Sequence, residues 1–233
     1  MIVAAHQPHF LPWLGYINKV ASADVFVWLD TVQYRKNYFQ NRTRIMGADG
    51  VERWLTLPVH AHLDTAIGDV TIADPRWRTK VERTIEQTYA RAPHFAATWP
   101  ALRDALRDAP DCLAGANLAL FRVLLASLAL DRVRLVEAST LGVDAEDPTD
   151  RLVALCRALG ATRYIAGKGG RGYMRLEAFD AAGIEVVWQA FDPARATYPR
   201  AGGAEAAGLS VVDALFHVGP ERTRAIALSA WRP

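Results

Sequence analysis

The sequence predicts an α/β fold with a mainly parallel sheet, and three observations carry this. Two short apolar runs, Ile2–Ala5 and Val25–Leu29, have the length and the β-branched or aromatic content of buried strands, and a helical stretch from about Leu14 to Ala21 separates them. Each run ends in a cluster of polar residues not built for packing: His6, Gln7 and His9 after the first, and Asp30, Gln33, Tyr34, Arg35, Lys36, Asn37, Gln40, Asn41, Arg42 and Arg44 after the second. Strand and helix patterns then alternate to the C-terminus, as chained βαβ units do. In open α/β sheets ligands bind beyond the carboxyl ends of the strands, so the chemistry is expected at these clusters.

The remaining elements follow in order. Residues 51–59 alternate as a strand and, with Arg44–Met46 and the turn Gly47–Gly50, suggest a hairpin. His60 and His62 lie in a polar loop, and a short strand begins at Val70. Asp74-Pro75 opens a helix that runs to about Tyr89, a second covers Trp99–Arg107 after Pro93, and a long apolar helix covers Cys112–Leu128. Together they form a helical insertion at about 75–130 that covers the sheet or makes a lid. A strand at Val133–Glu137, a helix capped by Asp147 and stopped by Gly160, and a strand at Thr162–Ala166 come next. The glycine-rich stretch Gly167-Lys-Gly-Gly-Arg-Gly172 leaves that last strand. A helix over Glu177–Ala182, a strand at Ile184–Trp188, a small polar and mobile surface segment at 201–208, and helices at Val211–Phe216 and Glu221–Leu228 complete the chain. The architecture expected is a single domain over 1–233 with a Rossmann-like sheet.

Composition narrows the function. With 51% hydrophobic and 22% charged residues the chain can bury a sizeable core, and its net charge of +2 implies neither a DNA footprint nor a membrane surface. Cys112 and Cys156 are far apart, which fits a reducing cytoplasm, and no signal peptide or bilayer-length apolar stretch is read.

Several motifs resemble those of the WbqC-like family. They are His6-Gln-Pro-His-Phe-Leu-Pro-Trp-Leu-Gly-Tyr16, Ala23-Asp-Val-Phe-Val27 with Asp30, Val32-Gln-Tyr34, Gln40-Asn-Arg42, Leu57-Pro-Val59, Leu159-Gly-Ala161, Tyr164-Ile-Ala-Gly-Lys-Gly-Gly170 and Leu209-Ser-Val-Val-Asp-Ala-Leu-Phe216. The family occurs in bacterial O-antigen, capsule and other biosynthetic clusters. The resemblance implies transfer of glycine or a similar aminoacyl group onto an amino sugar or related amine. Lys168 and His217 depart from the family's pattern and would alter the ligand if they touch it. The strand, His-bearing turn, helix and second strand are also similar to the nucleotidylyltransferase-like superfamily, to which pantothenate synthetase belongs. Trp13-Leu-Gly-Tyr16 stands where that superfamily has its second histidine motif, so the likeness is a hint of topology.

The candidate site combines these stretches. His6 at a strand's carboxyl end can act as general base on an amine, or can merely fix its loop, and Asp30 at the end of the neighbouring strand would orient its ring. Gln7, His9 and Trp13 would bind substrate; His9 reads equally as a solvated loop residue, and Pro8, Pro12 and Trp13 shape the loop or wall a pocket. Gln33, Tyr34, Asn37, Gln40 and Asn41 would orient hydroxyls or a carboxylate, and Lys36 and Arg42 would hold a phosphate or carboxylate. Lys168, Gly169, Gly170 and Tyr173 would bring backbone N–H groups to an anion, or form a plain turn. His60 and His62 lack a third ligand, so no metal is expected, and Cys156 reads as a core thiol. The expected function is an aminoacyl transferase using a carrier-bound or tRNA-bound donor. The partners would be an amino sugar or amine and an acyl or peptidyl carrier protein or aminoacyl-tRNA. An ATP-dependent nucleotidylyltransferase or amide ligase is the alternative, and a carbohydrate-binding module the third.

Overall fold

The computed structural model describes residues 1–62, 64–200 and 205–229. Strand β1 (Ile2–His6) leads through a polar turn into helix α1 (Leu14–Ala21) and strand β2 (Val25–Trp28). An antiparallel hairpin of β3 (Arg42–Met46) and β4 (Glu52–Thr56) follows, then a second small pair, β5 (Val59–His60) and β6 (Thr71–Ile72). Three successive helices follow, α2 (Trp77–Tyr89), α3 (Phe95–Asp108) and α4 (Leu113–Ser127). Strand β7 (Arg134–Glu137), helix α5 (Pro148–Ala158), strand β8 (Arg163–Ala166), helix α6 (Leu176–Ala181) and strand β9 (Glu185–Trp188) continue the alternation. The pair β10 (Tyr198–Pro199) and β11 (Glu205–Ala206) and helix α7 (Val211–Ser229) end it.

The main sheet has the order β7-β2-β1-β8-β9, and all its neighbours are parallel. The first strand in the chain is thus central, and the winding reverses between β1 and β8. Such a reversal opens a crevice at the carboxyl edge.

Side-chain alternation along these strands builds two cores. Val3, Ala5, Val25, Val27, Tyr164 and Ala166 pack with Leu152, Leu155, Cys156 and Phe179 of α5 and α6. Ala4, Phe26, Trp28 and Ile165 pack with α1, α7 and the insertion helices. Because both faces are covered, the strands read as continuous apolar runs rather than alternating ones. On the insertion side, the Trp28 ring lies 4.9 Å from that of Phe121 in α4. The insertion is therefore a packed layer, with Leu118, Leu120, Phe121, Leu124, Leu125 and Leu128 all buried.

Several boundaries differ from the expectation: α2 begins at Trp77 rather than Pro75, β3 at Arg42 rather than Arg44, and β4 ends at Thr56 rather than Val59. Helix α3 begins at Phe95 rather than Trp99 and carries Pro100 inside it. The proline removes one backbone bond, but Phe95 and Trp99 stack at 5.8 Å and both meet Phe216, so apolar burial holds the extra turn. The two terminal helices are separate as expected, divided within the α7 span at Gly219, whose φ of 77° suits glycine and which precedes Pro220. A Cβ there would also lie 3.0 Å from the His94 ring.

The 201–208 segment is only partly described: residues 201–204 lie outside the described residues, whereas Glu205 and Ala206 pair with Pro199 and Tyr198. Beside this pair, Asp213 of α7 is fully buried. Arg200 donates to its two carboxylate oxygens at 3.0 and 3.1 Å, and Tyr198 and Tyr89 donate hydroxyls at 3.0 and 2.9 Å. Arg200 also reaches the Met46 carbonyl at 2.6 Å, so one carboxylate ties α7, α2, β10 and the hairpin together. His217 belongs to this cluster, with Nδ1 2.8 Å from the Asp213 carbonyl.

Candidate functional site

The carboxyl ends of β1 and β8 open into a cleft of about 580 Å3. His6 and Gln7 from β1 and its turn, Trp13 at the start of α1, and Gly167–Gly170 and Tyr173 after β8 all line it. The expected common edge of His6 and the glycine loop follows directly from the parallel pairing of β1 with β8.

The turn after β1 is held from several sides. Leu11 adopts a left-handed φ of 43°, costly for a branched side chain, and its carbonyl accepts the hydroxyls of Thr43 at 3.0 Å and Ser210 at 2.7 Å. The Trp13 ring folds over Gly15, where a Cβ would lie 2.3 Å from it. Its edge meets Phe191 at 5.3 Å.

His6 sits 3.0 Å, through Nδ1, from the Gln7 carbonyl. A carbonyl only accepts, so Nδ1 carries the proton and Nε2 the lone pair. Burial, then the neighbouring Lys19, hold the imidazole pKa down at about 3, against a smaller opposing effect of the Gln7 bond. The ring is therefore neutral throughout the physiological range.

Asp30 does not orient this ring, contrary to expectation. Its carboxylate accepts from the backbone N–H and hydroxyl of Ser139, at 3.0 and 2.5 Å, and so ties the end of β2 to the loop after β7. The geometric reason is that Asp30 lies two residues beyond Trp28, the register partner of His6, and turns toward β7.

The stretch after Asp30 is divided. Arg35 and Tyr38 line the cleft, with the guanidinium 5.2 Å from the Tyr38 ring centre. Gln40 stands one layer back, donating to the Gln7 side chain at 2.8 Å and accepting from the Arg35 N–H at 2.8 Å. The others serve the scaffold or face solvent. Asn41 donates to the Leu57 carbonyl at 2.7 Å, and Gln33 to Asp64 at 2.8 Å. Tyr34 bonds through its backbone to Thr65, and Lys36 is exposed. Arg42 lies over the Trp54 ring at 4.1 Å and bonds Asn37, which itself takes a left-handed φ of 61°. His9 is buried behind the cleft, its ring 4.6 Å from His6 and 4.9 Å from Tyr16. Burial, then His6 and Lys19, keep His9 neutral, and neither ring nitrogen has a partner among the described residues.

The residue that sequence reasoning missed is Lys19. It lies on α1, a helix whose residues from Leu14 to Val20 are all buried, and is itself only 3% exposed. Its Nζ donates to the Ala5 carbonyl at 2.8 Å and lies 3.7 Å from where a Cβ of Gly167 would stand. Burial depresses its pKa to about 7. A lysine in a helix that is apolar but for Tyr16 and Asn18, next to a candidate site, was the available signal. Gln189 was also missed, although it follows the carboxyl end of β9; it donates to the Gly15 carbonyl and the Asn18 side chain, both at 2.8 Å.

The lining thus holds His6, Lys19, Arg35 and Lys168, and no Asp or Glu among the described residues. Cys156 is buried beneath the sheet, which raises its thiol pKa to about 12. We expect it to react with a thiol-specific disulfide reagent only on unfolding, with half-buried Cys112 reacting first. Equal native-state rates for the two thiols would contradict this.

Among the described residues no group of three or more His, Cys, Asp and Glu could hold a metal ion, and no helix is long and apolar enough to cross a membrane. No solved structure matches the chain. It is similar to an uncharacterized protein of Mycobacterium tuberculosis, Rv1507c, with 33% identity over 223 residues that cover 94% of each chain. The WbqC-like protein family matches residues 7–225, which include the His6–Tyr16 turn from Gln7 onward, α1 and the glycine loop after β8. From these matches, over nearly its whole length, the chain belongs to the WbqC-like protein family.

Proposed function

We propose that this protein is an aminoacyl transferase that forms an amide on an amino sugar or related amine, with the activated donor bound in the cleft between β1 and β8. The observation that supports the reading is a cleft lined by Arg35, Lys168 and the buried Lys19, with no carboxylate among the described residues, and walled by Trp13, Tyr38, Tyr173 and Phe191. Such a lining favours an anionic, partly apolar ligand. A carrier's phosphopantetheine arm, the 3′ end of an aminoacyl-tRNA and a nucleotide-sugar all answer that description.

An ATP-dependent amide ligase or nucleotidylyltransferase is the second reading. The reversal of winding at β1 and β8, with a histidine turn at that point, favours it, because doubly wound sheets bind nucleotides there. A thermal-shift screen with ATP, nucleotide-sugars and carrier-bound glycine separates the two. Stabilisation by carrier-bound glycine or nucleotide-sugar without ATP supports transfer, and stabilisation by ATP alone supports the second reading. No shift with any of them counts against both.

Once a substrate is in hand, Lys168→Ala and Arg35→Ala are expected to raise KM by about tenfold each, the scale of one lost charge-assisted contact. Arg42→Ala is expected to leave KM unchanged, since its guanidinium is spent on Trp54 and Asn37. A KM effect of Arg42→Ala equal to that of Lys168→Ala would contradict this placement.

A further inference from the structure

The crevice contains a buried cation without a counter-ion. Lys19 is in no ion pair among the described residues, and its one hydrogen bond goes to a neutral carbonyl. A buried lysine loses several kilocalories of hydration and is ordinarily retained beside a carboxylate or as a working group. The backbone around it makes the same point. β1 pairs with β8 only through Ala4↔Ile165, whereas it stays paired with β2 as far as His6. The Met1 carbonyl accepts from Thr162 on the β8 side, and the period of two directs the Ala5 carbonyl to that side as well. Past Ala4 the strands part, and the Lys19 ammonium occupies the gap between the ends of β1 and β8. On the far side, the N–H groups of Gly167, Lys168 and Gly169 have no hydrogen-bond partner among the described residues.

We propose that this gap is an anion subsite in which Lys19, supported by the loop N–H groups and Lys168, receives a phosphate or carboxylate group of the ligand. The inference deepens the proposed reading, since an activated donor carries such a group, but it also holds for any anionic ligand. Of the charged and titratable groups around the gap, His6, Arg35, Tyr38, Tyr164, Lys168 and Tyr173 line the cleft with Lys19, and His9 and Tyr16 stand behind the His6 ring. None is a carboxylate, so an incoming anion supplies the negative charge that the gap lacks. Apo Lys19 is held near half-protonation at neutrality. An anion favours the ammonium form, and binding must then draw a proton from solution. Affinity should fall as pH rises above 7.

The test is titration calorimetry of the full chain with sodium sulfate and, separately, sodium acetate, probes that carry no titrating proton near neutrality. Running each at pH 7.5 in two buffers of different ionisation enthalpy counts the protons taken up. Saturable sulfate binding with proton uptake points to a phosphate subsite, and preference for acetate points to a carboxylate one. Lys19→Met is expected to weaken binding at least about tenfold and abolish the uptake, whereas Lys168→Met weakens binding less and leaves it. Should Lys19→Met not fold, the Lys19 Cε resonance of the wild-type protein must move toward its charged position as sulfate or acetate is added. Absence of binding by both anions, binding without proton uptake, or wild-type affinity in folded Lys19→Met would overturn the inference. A failed donor screen alongside positive anion titrations would remove only the transferase reading.

Discussion

Asp213→Ala is expected to destabilise the fold by about 3–5 kcal/mol, the cost of leaving one partner of a buried ion pair uncompensated. Both partners are buried, Asp213 at 0% and Arg200 at 7% exposure. Removing the carboxylate strands a guanidinium in the interior and leaves the hydroxyls of Tyr89 and Tyr198 without their acceptor. Those partners come from α2, β10 and Arg200 just beyond β10, so the loss is felt by several elements and not at one contact. Against a total stability of about 5–15 kcal/mol for a domain, it is a large fraction. Tyr89→Phe removes one hydroxyl but keeps the apolar ring, and is expected to cost only about 1 kcal/mol. Urea denaturation of both variants checks the ordering. Equal midpoints for Asp213→Ala and the wild type would mean that the cluster does not hold these elements together.

His6→Ala is the second large effect, and it should appear in two observables. In the proposed transfer reaction the variant is expected to lower kcat by about 10²-fold, the lower end of what a positioned acid–base group contributes. The low end applies because an imidazole held near 3 is a weak proton acceptor at neutrality. Its neutral ring offers the Nε2 lone pair to the amine proton during attack, and a wild-type limb at pH 6–7 is not expected from it. A kcat within twofold of wild type in folded His6→Ala would leave the residue as a determinant of the turn alone. The other observable is acid stability. His6 and His9 are neutral in the folded protein and become protonated at about 6.5 on unfolding, so the unfolded state binds more protons between pH 3 and 6.5. Stability should therefore fall as pH drops below 6.5, with up to about two protons taken up on unfolding. His6→Ala should flatten that dependence. A wild-type stability independent of pH from 4 to 7 would contradict the burial of both rings.

The same comparison of residues shows what could be read from one dimension. Apolar strand runs, the Asp147 cap, the stop at Gly160 and the long apolar α4 are local signals, set by periodicity and by backbone preferences within a few residues. They determined an α/β fold, a parallel sheet and the run of helices between Trp77 and Ser127. The rule that ligands gather at the carboxyl edge then placed His6, Gln7, Trp13 and the Gly167 loop on one edge, and those residues do line one cleft.

The tertiary structure decided the rest, because it depends on direction and on pairs far apart in the chain. The polar stretch after Asp30 is uniform in composition, yet Arg35 and Tyr38 turn into the cleft while Asn41 and Gln33 satisfy backbone or loop partners. Asp30 chose Ser139, 109 positions away, over His6. Lys19 carries the clearest lesson. Its sequence context marks only a lysine within a largely apolar helix, and it becomes a functional candidate because β1 and β8 part after Ala4 and leave a gap onto which its ammonium opens. Burial and the absence of a counter-charge are properties of that gap, produced by strands 160 residues apart, and no local pattern encodes them.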